Sequence, residues 1–316
     1  MARPECSDRI RIILIVLTAL SFLPQLIRLW WRKHTTGFST GHVLLNLFAA
    51  TEQLTIDVFL MVIVPEAASG EFTHEPLTTG DWLNLAQIGT AWVGFNVLWV
   101  YIHTLTPEEL FVNALSRFIT CLSLQSAGTS TRGYIKAYSL YILISLIPEL
   151  IDIMGLTPST KSHPRDSLLE GFIGAHAIFL KPLTTFLILI SPLCQTGPIW
   201  RYPGQQEKET SLSLTGLVTQ CIIFSCVGIS WLYRVEGFRR SGKPWASVEW
   251  DWYWSVGWPV VDGLCFAIVQ GVLGWCVFFN RVKAWREGRG VEVDGNEGEV
   301  GDTPGEREPL LGEREA

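Results

Sequence analysis

Three carboxylates and one lysine stand where charge is costly. Asp57, Asp152, Asp262 and Lys181 each interrupt a run of apolar residues. A charge surrounded by hydrocarbon is expensive on every scale, so such a group must turn toward protein or water and find a partner. A carboxylate that opens in turn to two compartments could carry a proton or pair with a cationic solute. The plainer alternative is a fixed ion pair, with Lys181 as the available base. Glu52 and Glu149 occupy similar runs nearer an interface. Four amides share the setting: Asn46, Asn96, Gln220 and Gln270. A buried amide needs hydrogen-bond partners, so each either meets a solute or ties two helices together.

Chemistry of other kinds has no footing. The chain contains no Gly-x-Ser-x-Gly, no His-Glu-x-x-His, no phosphate loop and no thiol-redox pair. His74, His103, His163 and His176 are scattered, and the seven cysteines show neither zinc spacing nor a disulfide framework. No catalytic residue, metal ligand or cofactor is therefore assigned, the expectation is a protein that is not an enzyme, and no nucleic-acid partner is expected.

The elements that must position these residues are helices in lipid. Of 316 residues, 48 % are apolar and only 17 % charged, against about 25 % charge in a soluble domain. A hydrocarbon core about 30 Å thick needs roughly 20 apolar residues of helix. Unpaired backbone groups cannot face lipid, which rules out irregular chain there. Spans are expected near 10–31, 42–64, 83–104, 134–155, 171–194, 213–233 and 256–280. The fold class is an all-α polytopic membrane protein of seven helices. Ile10 to Trp31 is too long and lacks the small-residue site of a cleaved signal. Phe111 to Leu124, broken by Arg117, reads as an interfacial or loop helix.

Short-loop bases set the orientation. Arg28, Arg32 and Lys33 follow the first span, four acids follow the second, and Arg281, Lys283, Arg286 and Arg289 follow the seventh. These place the N-terminus in the lumen and the C-terminus in the cytosol. Arg3, Arg9, Arg11, Arg234, Arg239, Arg240 and Lys243 oppose that bias. Trp245, Trp250, Trp252, Trp254 and Trp258 cluster before the last span, and indoles favour the headgroup level. From Glu287 the chain is Gly, Glu and Val with little to bury, which predicts disorder. Within that tail Glu306, Leu310 and Leu311 resemble an acidic dileucine sorting signal, with a clathrin adaptor as its partner.

The most specific signal is local. Pro24-Gln25 is followed by Lys33-His34-Thr35-Thr36-Gly37-Phe38-Ser39 and then Asn46. This pattern resembles the PQ-loop family, which includes cystinosin, vacuolar basic amino-acid transporters and, more distantly, SWEET sugar transporters and KDEL receptors. The resemblance implies two parallel three-helix repeats joined by a central helix. A second, degenerate copy follows in Pro192, Gln195, Lys208 to Ser213, and Gln220. Ser39 and Ser213 are 174 residues apart, as are Asn46 and Gln220. Pro192 and Gln195 are not adjacent, and Gln220 stands where cystinosin-like members carry an aspartate, so a coupling proton would have to bind elsewhere.

The resemblance divides the chain into a short lumenal N-terminus (1–9), a first repeat (10–104), a connecting loop and linker helix (105–170), a second repeat (171–283) and an acidic cytosolic tail (284–316). Pro24 with Gln25, and Pro192 with Gln195, would be paired hinges. Asn46, Asp57, Asn96, Asp152, Lys181, Gln220, Asp262 and Gln270 would line the substrate path or couple it. The implied function is transport of a small organic solute across a vacuolar or lysosomal membrane. An amino acid or derivative is the first expectation, with protons as a candidate co-substrate. A sugar facilitator and a non-transporting receptor or scaffold are the alternatives.

Overall fold

The structure, a computed structural model, describes residues 6–63, 73–74, 76–105, 131–154, 171, 174–201, 211–234, 252–253 and 257–294. Phe111 to Leu124, most of the tryptophan-rich loop and the dileucine Glu306, Leu310 and Leu311 lie outside the described residues. Among those residues, seven helices are long and apolar enough to cross a membrane. They are α1 (Asp8–Arg32), α2 (Thr40–Val58), α3 (Thr79–Leu105), α4 (Thr131–Ile153), α5 (Lys181–Arg201), α6 (Leu214–Trp231) and α7 (Trp258–Asp294). A π-helical segment, Phe59–Ile63, extends α2, and another, Gly174–Leu180, leads into α5. α7 continues past residue 284, where the sequence reading began a disordered tail. The helix-forming residues Ala284 to Glu287 carry the turn onward beyond the apolar run.

The helix starts are written in the sequence. Ser39 and Ser213 cap α2 and α6, each hydroxyl accepting a hydrogen bond from the third residue on, His42 N (3.3 Å) and Gly216 N (3.1 Å). α1 ends at Lys33 in the left-handed conformation, and its N–H donates to the Leu29 carbonyl. Gly37 holds a φ of 79°, which only glycine adopts without strain, and this allows the tight turn into Ser39. Pro182 follows the π segment directly, and Pro259 is the second residue of α7. Pro24, Pro148 and Pro192 lie inside helices.

The burial pattern is inverted relative to a water-soluble fold. On α1, Ile13, Val16, Leu20, Leu23, Ile27 and Trp30 are exposed, whereas Thr18, Ser21 and Gln25 are buried. A polar interior with an apolar exterior is the pattern lipid demands. α3 packs on both α1 and α2, and α7 packs on both α5 and α6. α1 packs on α6 and α2 on α5, which closes six helices into a ring; α4 packs on the outside of α2. Close crossings use glycine: a Cβ at Gly228 would lie 3.0 Å from Leu264, and one at Gly94 would lie 2.6 Å from the Phe22 ring.

Candidate functional site

Helix direction sorts the polar residues between two ends of the bundle. Gln25, His42, Asn46, Gln195 and Gln220 lie toward one end, where α1 and α5 finish and α2 and α6 begin. Arg11, Asp57, Asp81, Asn84, Glu149, Lys181, Arg234 and Asp262 lie toward the other.

At the first end two glutamines reach across the ring. Gln25 of α1 donates from Nε2 to the Ser211 carbonyl (2.9 Å), and its Oε1 accepts from Ser213 N–H (2.9 Å). Gln195 of α5 donates from Nε2 to the Gly37 carbonyl (2.7 Å), and its Oε1 accepts from Ser39 N–H (2.8 Å). The two clasps are the same device. Each amide satisfies a donor and an acceptor two residues apart, directly before a capped helix of the other half of the chain. Positions 37 and 211, like 39 and 213, are 174 apart. Cys194, not Pro192, precedes the second clasping glutamine. A further tie joins the two turns, with Ser211 N donating to the Thr36 carbonyl (2.8 Å) and Ser211 Oγ meeting His34.

Between the clasps lies a small cavity lined by Gln25, His42, Gln195, Gln220 and Gln270 together with apolar residues that include Phe95 and Leu273. Its solvent-holding volume is about 20 Å³, enough for about one water and too little for an organic solute. Asn46 adjoins it, donating to the His42 carbonyl (2.7 Å) and to Ser191 Oγ (3.2 Å), while its buried Oδ1 has no partner. Asn96 is placed elsewhere. It donates to the Trp92 carbonyl (2.9 Å) and accepts from the Tyr138 hydroxyl (3.1 Å), and so ties α3 to α4.

Aromatic rings form the middle of the ring of helices. Phe22 of α1, Phe95 of α3, Phe224 of α6 and Phe266 of α7 meet edge to face. Their centroids are 5.1 Å apart for Phe22 and Phe95, 6.4 Å for Phe22 and Phe224, 5.3 Å for Phe95 and Phe266, and 4.5 Å for Phe224 and Phe266. The plug lies between the amide-lined end and the charged end.

The charged end has two parts. Asp262 (1 % exposed) accepts from Gln53 Nε2 (3.0 Å) and from the Thr185 hydroxyl, and its charge acts on Lys181, which is also buried. The Lys181 ammonium stands 5.5 Å above the Trp258 ring. The charges of Asp262 and Glu52 both act on Lys181, and Gln53 and Thr185 clothe the Asp262 carboxylate. Asp57 (0 % exposed) differs: neither of its oxygens has a hydrogen-bond partner among the described residues. Asp152 belongs to α4 by its backbone, and its side chain lies outside the described residues.

Near Asp57, two guanidinium groups converge on one oxygen. Arg11 Nη1 and Arg234 Nη1 donate to Asn84 Oδ1 at 3.3 and 3.1 Å. Arg234 also donates to Ser230 Oγ (2.9 Å) and stacks on Trp231. Burial, together with the neighbouring Arg11 charge, pulls Arg234 down to about 10, so it stays charged at neutral pH. Asp81 accepts from Thr78 N (2.8 Å) and the Thr78 hydroxyl (2.7 Å) and faces His74. Sequence reasoning took Arg11 and Arg234 for loop charges. Both are buried against Asn84. His42, Ser191, Tyr141 and His176 were also not singled out as site residues. The available signal for His42 was its place four residues before Asn46, on the same helix face. No group of three metal-binding side chains occurs among the described residues.

A multi-pass helical membrane protein with a closed polar interior is what these observations define. Within it, residues 10–61 match the PQ loop repeat family. No curated protein and no solved structure matches the chain.

Proposed function

We propose that the chain is a solute transporter working by alternating access, built as two parallel three-helix repeats, α1–α3 and α5–α7, joined by α4. The observation that carries the reading is the reciprocal clasp of Gln25 and Gln195. Each holds shut the turn of the other half at one end, and the aromatic plug closes the middle. Rocking one half against the other would release both clasps together and open the amide-lined cavity. Pro24 and Pro192, inside the clasping helices, are the hinge candidates.

The solute is a small polar molecule, with an amino acid or a derivative first. Support comes from the amides around the cavity and from the buried acids Asp57 and Asp262 toward the other end, which suit an ammonium group or a coupling proton. A sugar facilitator is the second reading, favoured by the neutral lining of Gln25, Gln195, Gln220 and Gln270. A vacuolar or lysosomal membrane, with a cytosolic C-terminus and the dileucine read by an adaptor, completes the proposal. Purified protein reconstituted in liposomes should take up at least one member of an amino-acid and sugar panel, with and without a pH gradient. No uptake of any member would contradict transport; uptake insensitive to the gradient would remove proton coupling.

A further inference from the structure

A second buried polar cluster lies where α2, α4 and the π segment before α5 meet, and none of the cavity-lining residues belongs to it. Glu52 of α2 is completely buried. Its Oε1 is 2.8 Å from His176 Nδ1, and its Oε2 accepts from the Tyr141 hydroxyl at 2.5 Å. Glu149 stands on α4 two turns beyond Tyr141. It is 3 % exposed, neither of its oxygens has a partner among the described residues, and it lies within reach of the Glu52 charge. The other groups acting on this region are Ser145 and Tyr138 of α4, Lys181 of α5 and Asp262 of α7. Lys181 feels both Asp262 and Glu52.

Glu52 and Asp262 each have hydrogen-bond partners on both oxygens. Glu149 has neither a donor nor a nearby cation among the described residues. A bare carboxylate there would carry the cost of an unpaired buried charge, whereas a neutral acid forfeits only hydrogen bonds.

We propose that Glu149 is a proton-binding site, occupied in this conformation, with the hydrogen-bonded Glu52 and His176 as its neighbours. The step is one of association: the carboxylic acid releases a proton to water when the charged end opens and hydrates it, and rebinds one before that end closes. The site sits on the helix that joins the two halves, away from the amide-lined cavity. As a seat for a co-transported proton it rests on the transporter reading; as a proton-binding group it does not.

Infrared spectra of the full-length purified protein, recorded across a pH series in lipid vesicles, test it. A protonated-carboxyl band that titrates should be present, should disappear in Glu149→Gln and should persist in Glu149→Asp. Asp57→Asn serves as the control for the other partnerless acid and should leave the Glu149 band in place. Glutamine is close in shape to the neutral acid, so thermal stability of Glu149→Gln should match that of the parent. A band and titration unchanged in Glu149→Gln would overturn the proposal. So would a marked loss of stability, since it would mean the fold depends on the charged form. These readouts need no solute. Uptake by Glu149→Gln that kept its full dependence on a pH gradient would overturn the coupling role alone.

Discussion

Replacing Gln195 by alanine should open one end of the protein and not merely weaken it. Gln195 makes two buried hydrogen bonds, to the Gly37 carbonyl at 2.7 Å and from Ser39 N–H at 2.8 Å. Truncation leaves that donor and that acceptor unpaired. An orphaned buried polar group costs about 1–3 kcal/mol, and water entering the enlarged cavity would recover part of it. A net loss of about 2–3 kcal/mol falls on the closed conformation alone if the clasp exists only there. The population open at that end should then rise roughly 30- to 150-fold. The assay is thiol labelling of Leu273→Cys, a fully buried residue lining the cavity, in a background without native cysteines. Labelling should accelerate by that factor in Gln195→Ala, and by a comparable factor in Gln25→Ala, whose bonds are matched in length. An unchanged labelling rate accompanied by a lower unfolding temperature would refute the argument and make both glutamines structural only.

Gly94→Ala should destabilise the protein by about 1–3 kcal/mol, because its Cβ would fall 2.6 Å from a Phe22 ring held between Phe95 and Phe224. Gly89→Ala on the same helix has open space and should be neutral or gain about 0.5–1 kcal/mol; thermal unfolding of both reads the difference. Asp262→Asn keeps a hydrogen-bonding group for Thr185 and Gln53 but removes the charge beside Lys181. A carrier that pairs an ammonium group with Asp262 should lose most of its uptake in this variant, while a sugar facilitator should keep most of its flux; liposome uptake distinguishes them.

The helices were legible because lipid imposes a simple rule. An uncharged run of about 20 residues can be little else. The first motif was equally plain, since Pro24-Gln25, the turn from Lys33 to Ser39 and Asn46 stand at the family spacing. What could not be read was which partners. Gln25 binds Ser211 and Ser213, nearly two hundred positions away, and no local spacing encodes that. Pro192 drew attention to the second motif by its chemistry, yet Gln195 does the clasping with Cys194 before it. Asn46 and Asn96 looked alike in sequence; helix rotation sends one toward the cavity and the other to Tyr138. Arg11 and Arg234 passed for loop charges because their burial depends on Asn84, an amide in a third helix. Glu149 and Glu52 ranked low because their depth in a span counted for more than their neighbours, and the neighbours come from α4 and α5.

The central claim is that the two halves separate at the clasped end during function. Gly41 of α2 and native Cys194 of α5 permit a direct test, since a Cβ at Gly41 would lie 3.5 Å from the Cys194 Cβ, within the range a disulfide spans. Gly41→Cys, with the remaining cysteines replaced, should cross-link on oxidation, and solute flux in liposomes should stop and return on reduction. Undiminished flux through fully cross-linked protein would contradict the account.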